Sequence, residues 1–230
     1  CYIIYVTGSN VHKFLGGNMK KLISDIKSLP YFKNHSAVSG KVHNIASHED
    51  AVEDLFLSHG MTRSDTTKIS KKARDMWLED SESCQVLKEG EYISQPCGTH
   101  NSPDFIIKKD GKLLFLECKS ANGATPMYNS GIPKDGYIYI FCSKKHDETT
   151  VYLGEDVCPP DVQQLLHDHI KKQRKQDEKL NKKLRELNHY GIEYYTRPMI
   201  QHKGGAAKTD YFVNENRSQN EKNVERFVNG

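Results

Sequence analysis

Asp110-Gly111, set between the apolar runs Phe105–Ile107 and Leu113–Leu116, constrains the fold of this chain more than any other feature. A two-residue loop of this kind needs positive φ at both central positions, which Gly tolerates freely and Asp accepts, so the chain reverses into a β-hairpin. Closing the loop pairs Lys109 with Lys112. Counting outwards, Ile106 meets Phe115, Phe105 meets Leu116 and Asp104 lands opposite Glu117. Side chains alternate faces along a strand, so Lys119 projects from the same face as both carboxylates. Phe105, Ile107, Leu114, Leu116 and Cys118 form the other face, which is expected to pack on a core.

Like charges directly opposed in a hairpin are destabilising. A divalent cation between them reverses the sign of that interaction, and carboxylate oxygens suit Mg²⁺, which keeps several waters and completes its shell with substrate phosphate. On spacing alone an ordinary surface hairpin with a charged outer face is an equal alternative, because Asp, Glu and Lys are common on exposed strands.

Pro103-Asp104, followed by Glu117-Cys118-Lys119 at the end of the next strand, resembles the PD-(D/E)XK nuclease superfamily, and within it the type II restriction endonucleases. Pro126-Met127-Tyr128-Asn129-Ser130-Gly131-Ile132-Pro133 and Tyr137–Phe141 resemble the segment after that motif in some restriction enzymes. The two matched stretches run from about Pro103 to Phe141. The resemblance implies an α/β fold with a mixed central β-sheet flanked by helices, restriction-endonuclease-like. It also implies that Asp104, Glu117 and the carbonyl of Cys118 bind Mg²⁺, while Lys119 positions or activates water near the scissile phosphate. Such nucleases often carry a further carboxylate on a helix before the hairpin. Glu53, beside an apolar stripe, is chosen for that role, with Glu49 or a merely solvated helix carboxylate as alternatives.

At 230 residues the chain suits a single nuclease domain able to bury a sizeable core, with 190–230 as a DNA-recognition or C-terminal segment. A net charge of +3 and a pI ≈ 8.4 permit a DNA partner without requiring one. The 6 cysteines form no CxxC pair, so a disulfide framework is not expected and a reducing cytoplasm, that of a prokaryotic cell, fits the resemblance. Cys97 and His100 have the spacing of two metal ligands, but no second pair lies nearby. The opening run Cys1–Val6 is too short to span a membrane or to form a complete signal segment, and since the chain does not open with Met, residues upstream are left room for.

Met19, Leu22, Ile23 and Ile26 mark a helix over Asn18–Leu29, ended by Pro30. Ser47 reads as the N-cap of a helix burying Ala51, Val52, Leu55 and Phe56 and stopped by Gly60. Ser70–Leu78 is expected to be a helix anchored by Trp77. Gly136–Cys142 is expected to be a buried strand, with Thr149–Leu153 paired to it. Pro160–Asn188 is the longest helical pattern. Val162, Leu165, Leu166, His169 and Ile170 offer it an apolar face, whereas Lys171 to Lys183 is mostly charged and expected to be exposed or bridging. Lys171, Lys172, Arg174 and Lys175 would attract DNA by counterion release. Gly191 ends that helix, and Ile192–Tyr195 is expected to return as a strand.

Arg197 to Phe212 combines hydrogen-bond donors with a glycine-alanine stretch, which makes Arg197, Gln201, His202, Lys203 and Lys208 candidates for DNA contact, with an ordinary surface loop as the alternative. Asn129 and Lys134 are second-rank candidates. The resulting expectation is a type II enzyme of a restriction-modification system that hydrolyses both strands of double-stranded DNA at a short site with Mg²⁺, leaving 5′-phosphate ends. It would act as a monomer or homodimer away from membranes. The alternatives are a structure-selective or repair nuclease of the same superfamily, a catalytically inactive DNA-binding module, and a globular protein with an incidental charged hairpin.

Overall fold

The computed structural model describes residues 19–31, 47–129, 131–187, 190–203 and 209–230. The opening Cys1–Val6 run, Asn18, Asn188 and Lys208 lie outside them. The chain runs α1 (Met19–Lys27), α2 (Ser47–Ser58), β1 (Thr62–Arg63), α3 (Lys71–Glu79), β2 (Glu91–Ser94), β3 (Phe105–Lys109), β4 (Lys112–Ala121), β5 (Met127–Tyr128), β6 (Tyr137–Ser143), β7 (Glu148–Leu153), α4 (Gly154–Val157), α5 (Pro160–Leu187), β8 (Ile200–Gln201) and α6 (Arg217–Asn229). A mixed six-stranded sheet, in the order β1-β2-β3-β4-β6-β7, forms the centre, and β5 pairs with β8 in a separate ribbon.

The hairpin forms in the expected register, from Lys109↔Lys112 to Phe105↔Leu116. Asp110 and Gly111 both have positive φ, 53° and 75°, as that loop requires. The hairpin is nevertheless not a surface element. β2 and β6 flank it, and both its faces are covered, which overturns the reading of an ordinary surface hairpin. Leu114, Leu116, Cys118, Ile138 and Ile140 pack under α1, α2 and α6, through residues such as Ile23, Phe56 and Val224. Ile106, Leu113, Phe115, Tyr137 and Tyr139 pack on the other side against Trp77 of α3, Tyr128 and Tyr211. Burying one such side chain stabilises the fold by roughly 1.5–3 kcal/mol relative to leaving it exposed.

α1 buries Met19, Leu22, Ile23 and Ile26, as its spacing predicts. Gly60, at φ +74°, closes α2, and the Ser70 hydroxyl caps α3 by accepting from Ala73 N at 3.0 Å. β6 pairs in parallel with β4 and antiparallel with β7. The β4–β6 crossover carries β5, which pairs with β8.

α5 departs from expectation: it buries no residue, and Leu165 on its supposed apolar face is 71% exposed. Ile192–Tyr195 is not a strand. Its backbone is satisfied by α5 side chains instead, with Tyr194 N donating to Asn181 Oδ1 (2.7 Å) and Asn181 Nδ2 donating to Tyr194 O (2.8 Å). Among the described residues no helix is long and apolar enough to cross a membrane.

Candidate active site

Three groups on the sheet converge because of strand geometry. Glu117 and Lys119 follow Phe115 on one face of β4, and Asp104 sits one residue before β3. The ladder stops short of the expected Asp104–Glu117 pair. Asp104 N donates to Leu116 O (3.0 Å), and its carboxylate turns across the gap so that Cys118 N donates to Oδ2 (2.7 Å). Lys119 Nζ donates to Glu117 Oε1 at 2.5 Å, while Glu117 Oε2 is buried without a hydrogen-bond partner.

Gln95, which sequence reasoning missed, ties a fourth acid to this group. Its Nε2 donates both to Glu49 Oε2 (2.6 Å) and to Asp104 Oδ1 (3.2 Å). Its backbone adopts φ 50°, and its N–H donates to Asp104 O at 2.7 Å. Nothing in the residue type marks it; only the Pro96 and Gly98 that follow signal a turn there.

The neighbouring negative charges raise the affinity of Asp104 and Glu49 for protons. Burial, then the charges of Glu117 and Glu49, push the Asp104 carboxyl up to about 8. Burial also pushes Glu49 up, against the Gln95 hydrogen bond that favours its charged form. For Lys119 burial opposes the charge, yet the Glu117 charge and hydrogen bond hold its pKa above the ordinary lysine value, so it remains an ammonium. Metal-free, the cluster therefore retains a proton near neutral pH.

The acids and Lys119 line a cavity of about 440 Å³ whose other walls combine neutral side chains with four basic ones. Lys71 and Arg74 of α3, Lys134 of the crossover loop, and Arg197 all reach it. Arg74 is held by Asp75 and by Ser102 O, to which Nη1 donates at 3.0 Å. Lys134 lies 5.1 Å above the Tyr137 ring, and burial together with Arg74 lowers its pKa. The Arg74 position was legible only as a helix residue near Trp77. Its role arises because α3 packs beside β4.

Of the expected DNA contacts, Asn129, Lys134 and Arg197 line this cavity, and Arg197 Nε donates to Asn129 O. Gln201, in β8 opposite Met127, and the exposed Lys203 do not line it. His202 is corrected. Its ring packs against Tyr128 and Tyr211, its Nε2 lies 3.3 Å from the Tyr128 hydroxyl, and burial lowers its pKa, so it belongs to an aromatic corner. Glu53 is also corrected. It does not line the cavity, because it accepts from the Tyr92 hydroxyl at 2.8 Å and pairs with Arg63 at 3.7 Å. Glu49, one helical turn earlier, is the α2 carboxylate at the site.

Among the described residues no group of three or more His, Cys, Asp or Glu side chains is arranged to hold a metal ion. The donors do fit a hard cation that takes one or two carboxylates and fills its shell with water and phosphate. Glu117 Oε2 is an orphaned buried acceptor, and the mutual repulsion of Asp104, Glu117 and Glu49 is the charge excess that such an ion would relieve. Neither family models, curated proteins nor solved structures gave any match to this chain.

Proposed function

We propose that the chain is a Mg²⁺-dependent endonuclease of double-stranded DNA, of the type II restriction class, with a restriction-endonuclease-like fold, acting in the cytoplasm of a prokaryotic cell. One observation carries the reading: Asp104, Glu117 and Lys119 share a cavity with Lys71, Arg74, Lys134 and Arg197, and a Glu117 oxygen there is buried and unpartnered. Asp104 and Glu117, with the Cys118 carbonyl, would hold the cation, which supplies neutralising charge at the scissile phosphate and a lowered pKa for water. Lys119, fixed by Glu117 Oε1, presents its ammonium to the charge that develops on the phosphoryl oxygens. Arg74, Lys134 and Arg197, which line the same cavity, bind the flanking phosphates. Water adds to phosphorus and the P–O3′ bond breaks, leaving a 5′-phosphate and a 3′-hydroxyl.

The test is incubation of the purified protein with a long duplex of known sequence, with Mg²⁺ and with chelator. Discrete metal-dependent fragments are expected. Asp104→Asn and Lys119→Ala should each lower the rate by on the order of 10²–10³-fold or more, and near-normal cleavage by either variant overturns the assignment. Cleavage confined to branched or mismatched DNA would replace it with a structure-selective nuclease.

A further inference from the structure

We infer that α5 and the crossover loop form a phosphate-binding groove that carries the DNA backbone away from the catalytic cavity, an inference that rests on the nuclease reading above. A second cavity, of about 690 Å³, runs between the 131–134 loop and α5. Gly131, Ile132 and Lys134 line both cavities, so the two lie side by side across a shared wall. On the α5 side, Lys171, Arg174 and Lys175 face the groove, with His167 one turn earlier. Asp168 and Glu178 are the acids among the lining residues, at either end of that basic stretch.

Burial does not explain why α5 stands here, since the helix buries no residue. Polar ties hold it instead. Asp177 accepts from Thr196 N (3.1 Å) and from Thr196 Oγ1 (2.9 Å), and Asn181 pairs with the Tyr194 backbone. The tied strap then delivers Arg197 to the catalytic cavity and Pro198 to the groove. One short segment therefore sets the position of the helix and of a cavity residue together. From His167 to Glu178 the face spans about 16 Å at 1.5 Å per residue, the axial rise of roughly five base pairs. Charge complementarity and the wall shared with the catalytic cavity favour a nucleic-acid backbone, read without sequence preference.

The experiment measures binding of a fluorescent 30-base-pair duplex in chelator across a salt series, alongside cleavage in Mg²⁺. The variant is Lys171→Glu/Arg174→Glu/Lys175→Glu, and the charge-matched control on groups that do not line the groove is Lys179→Glu/Lys182→Glu/Lys183→Glu. The groove variant is expected to bind about 10–100-fold more weakly at low salt, with a log K against log [salt] slope shallower by about 2–3, near 0.9 per lost phosphate contact. Its cleavage at subsaturating DNA should fall in step with binding, and the control should shift less. A groove variant whose slope matches that of a wild-type protein that cleaves overturns the groove and leaves the nuclease reading standing. Groove-dependent binding without cleavage overturns the nuclease reading and leaves the groove. A wild-type protein that binds single-stranded RNA or phosphatidylserine vesicles but not duplex DNA overturns the groove as assigned.

Discussion

The end of the β3–β4 hairpin and the α5 arm both present lysines to the same region, but they hold them by opposite means. Lys119 stands on a strand covered on both faces, with only 22% of its side chain exposed, whereas Lys171 and Lys175 stand on a helix that buries nothing. Charges at the first place are displaced from their ordinary protonation behaviour and depend on one another. Those at the second are solvated, screened by salt and close to additive. Chemistry needs the former, and tracking a polyanion needs only the latter.

The largest test of this contrast is pH. Because the folded-state pKa of Asp104 is raised to about 8, the folded protein binds an extra proton above the ordinary carboxylate range. Stability of the metal-free protein should therefore fall as pH rises from about 4 to about 8, since the folded state holds more protons than the unfolded one there. Asp104→Asn should flatten that slope and stabilise the metal-free protein at pH 8 by on the order of 2–4 kcal/mol. Denaturant titrations at several pH values measure it, and an unchanged slope in the variant would sink the argument. No substitution in α5 should have such an effect.

Gln95→Leu sharpens the contrast at a residue that carries no charge. Losing the amide that bridges Glu49 and Asp104 should slow cleavage about 10-fold or more. The pH–rate profile should also move upward, because that hydrogen bond lowers the Glu49 pKa. A rate loss without a shift in the profile would mark a purely structural role.

Gly154→Ala probes how the crossover loop is held. A Cβ there would sit 2.0 Å from Lys134 O, so the loop must move. A loss of about 1–3 kcal/mol in chemical denaturation is expected, together with weaker cleavage through Lys134. The smallest effect belongs to Asp177→Ala in the arm, where under about 1 kcal/mol should be lost. Proteolytic nicking across 190–199 should nevertheless accelerate, and equal protection of the variant would mean that the strap is held by something other than Asp177.

Much of the hairpin was legible because its determinants are local. Asp110-Gly111 sets the turn, the turn sets the register, and the period of two puts Glu117 and Lys119 on one face. α1 was legible for a similar reason, from its apolar spacing, and α3 from the Ser70–Leu78 pattern anchored by Trp77. Glu53 was preferred to Glu49 because it lies beside the apolar stripe of α2, and only the packing of α2 beside β2 shows that Tyr92 and Arg63 occupy Glu53. Ile192–Tyr195 looked like a strand from its β-branched and aromatic content. The Tyr194 backbone is bonded instead by Asn181, and Asp177 holds the adjacent Thr196, which no local pattern announces.

By itself, the sequence determined the hairpin, its register and the triad of Asp104, Glu117 and Lys119, since these depend on backbone geometry within a few residues of a turn. Only the tertiary structure decided that this hairpin is central, that Gln95 and Glu49 close the acid cluster, and that Arg74, Lys134 and Arg197 wall the cavity. Those outcomes depend on which faces bury together, and burial is a property of the assembled chain.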